Sequence, residues 1–353
     1  MTYRLVLSGW SAVSPFGVGA AAFADGLAAG RTAIAALDPG SWPGPARTGA
    51  VIPGFDVVGR LGRKGTRAMD RVTAIAITAV GELLGPEPAG PDTALVLGTG
   101  TGSVQSIMDF TRDALTGDKP YLVDPARFPN TVMNRAAGTS AIWHGIRGPN
   151  TTIAGGALTG LLALGYAARL LRAGRCTRAL CGAAEEYSAQ RAWIEHTGAA
   201  PGVTPGPAGE GAAVFRLEPA ETAGHALAEV AGLRFGATRP GGTAREALER
   251  CVTALLADSG VKASEIRAVS VSAPPGPLGD QERAAVRAIC DGDVTPGAAH
   301  RALLGDTAAA AGAFQIAEVL AGPAARPGEA ALVTAVDRDG RVGCLLLRLT
   351  TDR

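Results

Sequence analysis

The strongest constraint on how this chain folds is an internal echo. In the first half a strand signal "TALVLGTG", a Gly/Ala-rich helix signal "GALTGLLALGYAARLL", a strand "RALCGAAEE" and a strand "AAVFRLEP" follow one another. In the second half "IRAVSVSAPPG", "LGDTAAAAGAFQIAEVL", "EAALVTAVDRDG" and "VGCLLLRLT" repeat that order. Short apolar strands alternating with helices imply parallel pairing with helices outside the sheet. Two such units, each with a helix of small residues, predict a duplicated, five-layered α/β/α/β/α sandwich. Only small side chains on a middle helix let sheets approach from both sides. "LEPAETAGH" has the composition of a linker and divides the halves at 1–220 and 221–353. Flanking signals add a strand at "YRLVLSGW", a short helix over 20–29 and a helix over about 103–116.

The balance of residues excludes several function classes. Apolar residues make up 47% and charged residues 18%, which gives a well-buried globular chain. A formal net charge of +1 argues against nucleic acid or an anionic membrane as partner. The apolar run at 158–171 is too short to span a bilayer. The start "MTYRLVLSGW" lacks the basic, apolar and cleavage segments of a signal peptide. Five cysteines with no CxxC spacing are read as reduced thiols in a cytoplasmic protein with no metal site.

The stretch "NTTIAGGALTGLLALGYAARLL", residues 150–171, is a strand running through two glycines into a helix. A helix N-terminus carries roughly half a positive charge and favours an anion, so this is a natural seat for a nucleophile. The residue at the corner is Ala157, a methyl group.

Four segments then carry a resemblance: "RLVLSGWSAVSPFGVGAAAFADGLAAGRTAI", "LGRKGTRAMDRVTAIAITA", "FPNTVMNRAAGTSAIWHGIRGPNTT" and "GEGAAVFRLEP". In sequence and order they resemble the β-ketoacyl-acyl carrier protein synthases, of thiolase fold. The chain is shorter than a typical member, with trimmed segments at about 187–208 and 236–243. In active members the strand-to-helix turn after Gly-Pro carries an acylated cysteine; counted from Gly148 and Pro149, that position is Ala157. The first family histidine is replaced by Pro274 in "APPGPLGD", and the second by Asp306 in "RALLGDTAAAAGA", with Arg301 at the lysine position. The closing glycine motif and its phenylalanine are replaced by "AVDRDGRVG" at 335–343. Condensation needs a thiolate for the acyl chain and imidazoles to stabilise an enolate; a methyl, a proline ring and a carboxylate supply neither.

The pattern of losses is similar to the chain length factor, the inactive ketosynthase-like subunit of type II polyketide synthases. Alanine where aromatic systems commonly carry glutamine points towards the reducing, polyene-forming group. The resemblance implies no cofactor and no catalysis by this chain alone. The implied partners are an active ketosynthase in a heterodimer, an acyl carrier protein through that complex, and the growing polyketide chain. It places the tunnel and interface positions on Thr101, Val104, Ile107, Thr111 and Thr131. Valine, isoleucine and threonine there leave room for a long, apolar chain. Two other readings stand beside this one: an acyltransferase or decarboxylase with a displaced nucleophile such as Cys181, and a free-standing acyl-binding scaffold.

Simpler readings cover the remaining motifs. The glycines at 98, 100 and 102 do not fit G-x-G-x-x-G and read as a turn. His144, His196, His225 and His300 are scattered and read as surface or capped side chains. Glu185 and Glu186 read as strand-end carboxylates holding a neighbouring loop. The basic cluster at 60–67 is equally a solvated loop or a docking patch for an acidic carrier.

Overall fold

A computed structural model describes residues 4–86, 88–199, 205–290, 297–322 and 327–350. Residues 200–204 of the shortened 187–208 segment lie outside these. Nine strands form the frame: β1 (Leu5–Ser14), β2 (Thr93–Gly98), β3 (Asn150–Ile153), β4 (Arg178–Glu185), β5 (Gly211–Pro219), β6 (Ala228–Ala237), β7 (Ile266–Val271), β8 (Ala330–Val336) and β9 (Arg341–Leu349). Their spatial order is β3-β2-β4-β5-β1-β6-β9-β8-β7. The first five obey the pattern of the last four: a central strand, the last strand of its half, then two strands parallel to each other. An isolated parallel bridge from Ser270 to Gly297 lies beside β7, as β3 lies beside β2. The two halves join edge to edge through Val6 with Glu229 and Leu7 with Ala228.

Alternate residues of each strand face opposite sides, and outside β3 and the far half of β6 both sides are largely buried. In β2, Leu95 and Leu97 pack outward on Val72, Ile75 and Ala79 of α1 (Arg71–Leu84). Ala94 and Val96 face the interior. In β8, Leu332 faces α5 (Ala244–Ser259) and α6 (Pro277–Ile289), while Ala331 and Val333 face inward. Between the sheets lie α4 (Thr159–Arg172) and α7 (Ala311–Ala321), packed on each other and on strands of both halves. The protein is therefore the expected five-layered α/β/α/β/α sandwich.

The middle layer is as thin as the sequence implies. Its buried residues include Ala163, Ala167, Ala168, Ala313 and Ala317. At the crossing of the two central helices a Cβ on Gly160 would stand 2.3 Å from the Ala313 nitrogen and 2.7 Å from the Gly312 carbonyl carbon. Only a residue without a side chain allows that approach.

Two further helices matter for the site: α2 (Val104–Thr116) and α3 (Arg135–His144). Ser103 caps α2 by accepting from the Ser106 amide at 3.1 Å. No helix among the described residues is long and apolar enough to cross a membrane.

Candidate functional site

Ala157 stands where the chain leaves β3 and enters α4, in a short 3-10 turn over Gly156–Leu158. Pro274 and the hairpin that begins at Asp337 leave the carboxyl ends of the neighbouring parallel strands β7 and β8. The turn Ala308–Ala310, just after Asp306, packs against the Ala157 turn. In open α/β sheets such strand ends are where ligands collect.

The groups at these positions carry little capacity for bond-making. Ala157 offers only its backbone N–H, which donates to Asp337 Oδ2 at 2.8 Å. Asp306 receives Arg301 Nη2 at 2.6 Å on Oδ2 and the Ala308 amide at 2.9 Å on Oδ1. Burial opposes its charge, but Arg301 and Arg191 more than offset this and hold its pKa below the usual carboxylate range. A carboxylate held in that form accepts hydrogen bonds and cannot donate one to a developing oxyanion.

Among the described residues, the only non-glycine residues with left-handed φ are Ala273 (φ 44°) and Ala308 (φ 45°). One precedes Pro274 and the other follows Asp306 by two residues. Each is pinned through its amide to a carboxylate: Ala273 to Glu282 Oε2 at 2.8 Å, Ala308 to Asp306 Oδ1 at 2.9 Å. Such a backbone costs about 1–3 kcal/mol and persists only where its surroundings fix it. The strained backbone thus lies beside both Pro274 and Asp306.

Cys181 lies on β4 at 0% exposure, and burial pushes its thiol up to about 12. That is the environment of an inert core thiol, not of a displaced nucleophile. All five cysteines are buried. His300 is buried and pairs through Nδ1 with Glu318 Oε2 at 2.7 Å, a partner 18 residues away that no motif announces. Among the described residues no cluster of His, Cys, Asp and Glu is placed to hold a metal ion.

The acidic pair at the end of β4 does what strand-end carboxylates were expected to do. Glu185 Oε2 accepts from the Gly100 amide at 3.0 Å, in the loop that opens α2. Glu186 accepts from the Ser103 hydroxyl at 2.8 Å and the Val72 amide at 3.0 Å. Burial raises both, Glu185 to about 7 and Glu186 to about 8.

The five positions that the resemblance assigns to a tunnel fall in one neighbourhood, apart from the Ala157 turn. Thr101 is exposed in the loop before α2; Val104 and Ile107 are half-buried on the helix; Thr111 is exposed one turn further. Thr131 ends the 3-10 segment Pro125–Thr131, which packs on α2 through Phe128 and Phe110, ring centroids 6.1 Å apart. The 13-residue α2 buries none of its residues fully. Val104, Ile107, Met108, Thr111 and Leu115 recur at helical spacing and form one stripe. Met108 is 46% and Leu115 80% exposed. The sequence reading missed these two, although the same 3.6 period extends to both. Phe128, Val132, Met133 and Ile142 add exposed apolar surface on the 3-10 segment, the loop after it and α3. A separate groove of about 530 Å³ opens between Ile153, Leu162, Tyr166, Leu233 and Phe235; none of the five positions lines it.

Residues 3–232 match the family model described as the β-ketoacyl synthase N-terminal domain. The chain belongs to the β-ketoacyl synthase family. It is 28% identical over 194 residues to the 3-oxoacyl-[acyl-carrier-protein] synthase 2 of Vibrio cholerae, covering 52% of this chain and 46% of that protein. It is 31% identical over 197 residues to the tetracenomycin polyketide synthase ketoacyl synthase alpha subunit of Streptomyces glaucescens, with the same coverage. The match thus spans about half the length of these relatives. Similarity to the solved structure of the ishigamide ketosynthase/chain length factor runs nearly end to end: TM-score 0.93 and 41% identity over 98% of this chain and 99% of that one. A β-ketoacyl synthase from Burkholderia phymatum shares the fold, with TM-score 0.81 and 21% identity over 99% and 100% of the two chains.

Proposed function

We propose that this chain is the chain length factor of a type II polyketide synthase: a non-catalytic subunit that pairs with an active ketosynthase and forms one wall of the tunnel holding the growing chain. The observation that carries the reading is α2, an amphipathic helix whose apolar stripe is left unburied by its own fold. Exposed apolar surface of that extent is stabilised by a partner. The degenerate positions support the non-catalytic half of the reading. Ala157 has no nucleophile, and Asp306 is an ion-paired anion where an imidazole would stand. Cys181, buried and raised to about 12, speaks against a displaced nucleophile. Thr101, Val104, Ile107, Thr111 and Thr131 would border the tunnel, and an acyl carrier protein would reach it through the active subunit.

The test is product length. Val104→Phe and Thr111→Phe, each co-expressed with the ketosynthase, should yield shorter acyl chains at unimpaired heterodimer yield, because a ring on the stripe fills tunnel space. Products as long as those of the natural chain from both variants would remove the tunnel assignment.

A further inference from the structure

The Ala157 amide is not vacant. It sits at the entry to a 14-residue helix, where backbone N–H groups and the helix dipole favour an anion, and the anion there comes from this chain: Asp337 Oδ2, at 2.8 Å. Room for that carboxylate depends on Gly156, whose φ is +57°; a Cβ at that residue would stand 1.8 Å from Asp337 Oδ2.

Asp337 is also braced from its own side. It follows β8 directly, its N–H donates to the Arg341 carbonyl at 2.9 Å, and its carbonyl accepts the Gly340 N–H at 3.0 Å. The Gly340 carbonyl in turn accepts the Thr238 N–H at 2.8 Å. The carboxylate is therefore presented by a closed hairpin tied to β6, not by a swinging side loop. The charged groups around the turn are Arg341, which pairs with Asp339 and also feels Asp337, and the Asp306–Arg301 pair on the turn packed against it.

We propose that Asp337 is a built-in plug: its carboxylate occupies the anion seat at the remnant reaction centre, so that this chain does not compete with its partner for acyl thioesters. The inference rests on the reading of Ala157 as the former nucleophile position, but its test uses neither product length nor chain growth. On this account two changes separate the turn from an acylatable site. The thiol is missing, and the position that would stabilise a thiolate or an acyl oxyanion is filled by a negative charge.

The test compares Ala157→Cys with Ala157→Cys/Asp337→Asn, both purified with the ketosynthase partner and treated with iodoacetamide. Intact mass separates alkylation of the two subunits, and the five natural thiols of this chain are buried. A carboxylate beside a thiol disfavours the thiolate about tenfold, so removing the charge should speed alkylation near pH 7 about three- to fivefold, the lower basicity of the freed thiolate offsetting part of the gain. The midpoint of the rate–pH profile should fall correspondingly. Rates agreeing within about twofold, with coincident midpoints, would overturn the proposal. A second readout needs no introduced thiol: the Ala157 amide should exchange its hydrogen slowly in the natural chain and at least tenfold faster in Asp337→Ala. Equal exchange would overturn the proposal as well, and a thermal melt of each variant separates loss of the plug from loss of the fold.

Discussion

Gly160→Ala, set against Gly138→Ala, asks whether the crossing of the two central helices requires a glycine. At residue 160 an added Cβ would meet the Ala313 nitrogen at 2.3 Å, the Gly312 carbonyl carbon at 2.7 Å and the Ala313 Cα at 3.0 Å. All three are backbone atoms of the facing helix, so no side chain can rotate away. Ordinary contact requires the two central helices to separate by about 1 Å, and overpacking of that kind costs about 1–3 kcal/mol. The intrinsic gain of about 1 kcal/mol for replacing a helical glycine offsets only part of it. Gly138, in α3, has nothing within 4 Å of its would-be Cβ, so the same substitution there should stabilise by about 0.5–1 kcal/mol. At about 1.3 °C per kcal/mol for a chain of this size, scanning calorimetry should show Gly160→Ala melting lower by up to about 3 °C and Gly138→Ala higher by about 1 °C. Both must be measured in the same oligomeric form and at one scan rate. Gly160→Ala melting at or above Gly138→Ala would refute the argument that the two central helices approach too closely for a Cβ at residue 160.

Three further outcomes follow from the geometry. Ile107→Glu places a charge on the α2 stripe and should weaken pairing with the ketosynthase at least tenfold by sedimentation, while changing the lone subunit's stability by no more than about 0.5 kcal/mol. Cys181→Ala should leave chain elongation by the heterodimer intact; its loss would revive a displaced nucleophile. Glu186, raised to about 8 chiefly by burial, holds a proton in the folded protein that the unfolded chain has already lost by about pH 5. Stability should therefore fall as pH rises from about 5 to 8 and level off above, with a slope from this group of up to about 1.4 kcal/mol per pH unit. Urea unfolding of Glu186→Gln at pH 5.5 and 8 should show a shallower fall, and an unchanged one would deny that Glu186 is protonated in the fold.

Much of this architecture was legible in the residues because its physics is local. Strand alternation such as Ala94, Leu95, Val96, Leu97 and the alanine-rich helices encode a sheet buried on both faces and a thin middle layer. The echo omitted β6, whose pairing with β1 joins the halves, because "AEVAGLRFGA" reads as a weak strand with Gly232 and Gly236 inside it. At the site, the acidic pair could be read from the motif, and the interest of Ala157 from the strand–glycine–helix pattern around it. Asp337 could not: the segment "AVDRDGRVG" stood out, but the amide that its first aspartate binds lies 180 residues earlier. The same holds for His300 and Glu318, and for Glu210, which takes Arg71 Nη2 at 2.6 Å across 139 residues. Contacts made by tertiary folding leave no periodic trace.

The most direct measurement is where acyl groups reside while the complex works. Heterodimer trapped during turnover and resolved by intact mass should carry the acyl adduct on the ketosynthase subunit alone, with this chain at its unmodified mass. An acyl group covalently held by this chain would contradict the account at its root.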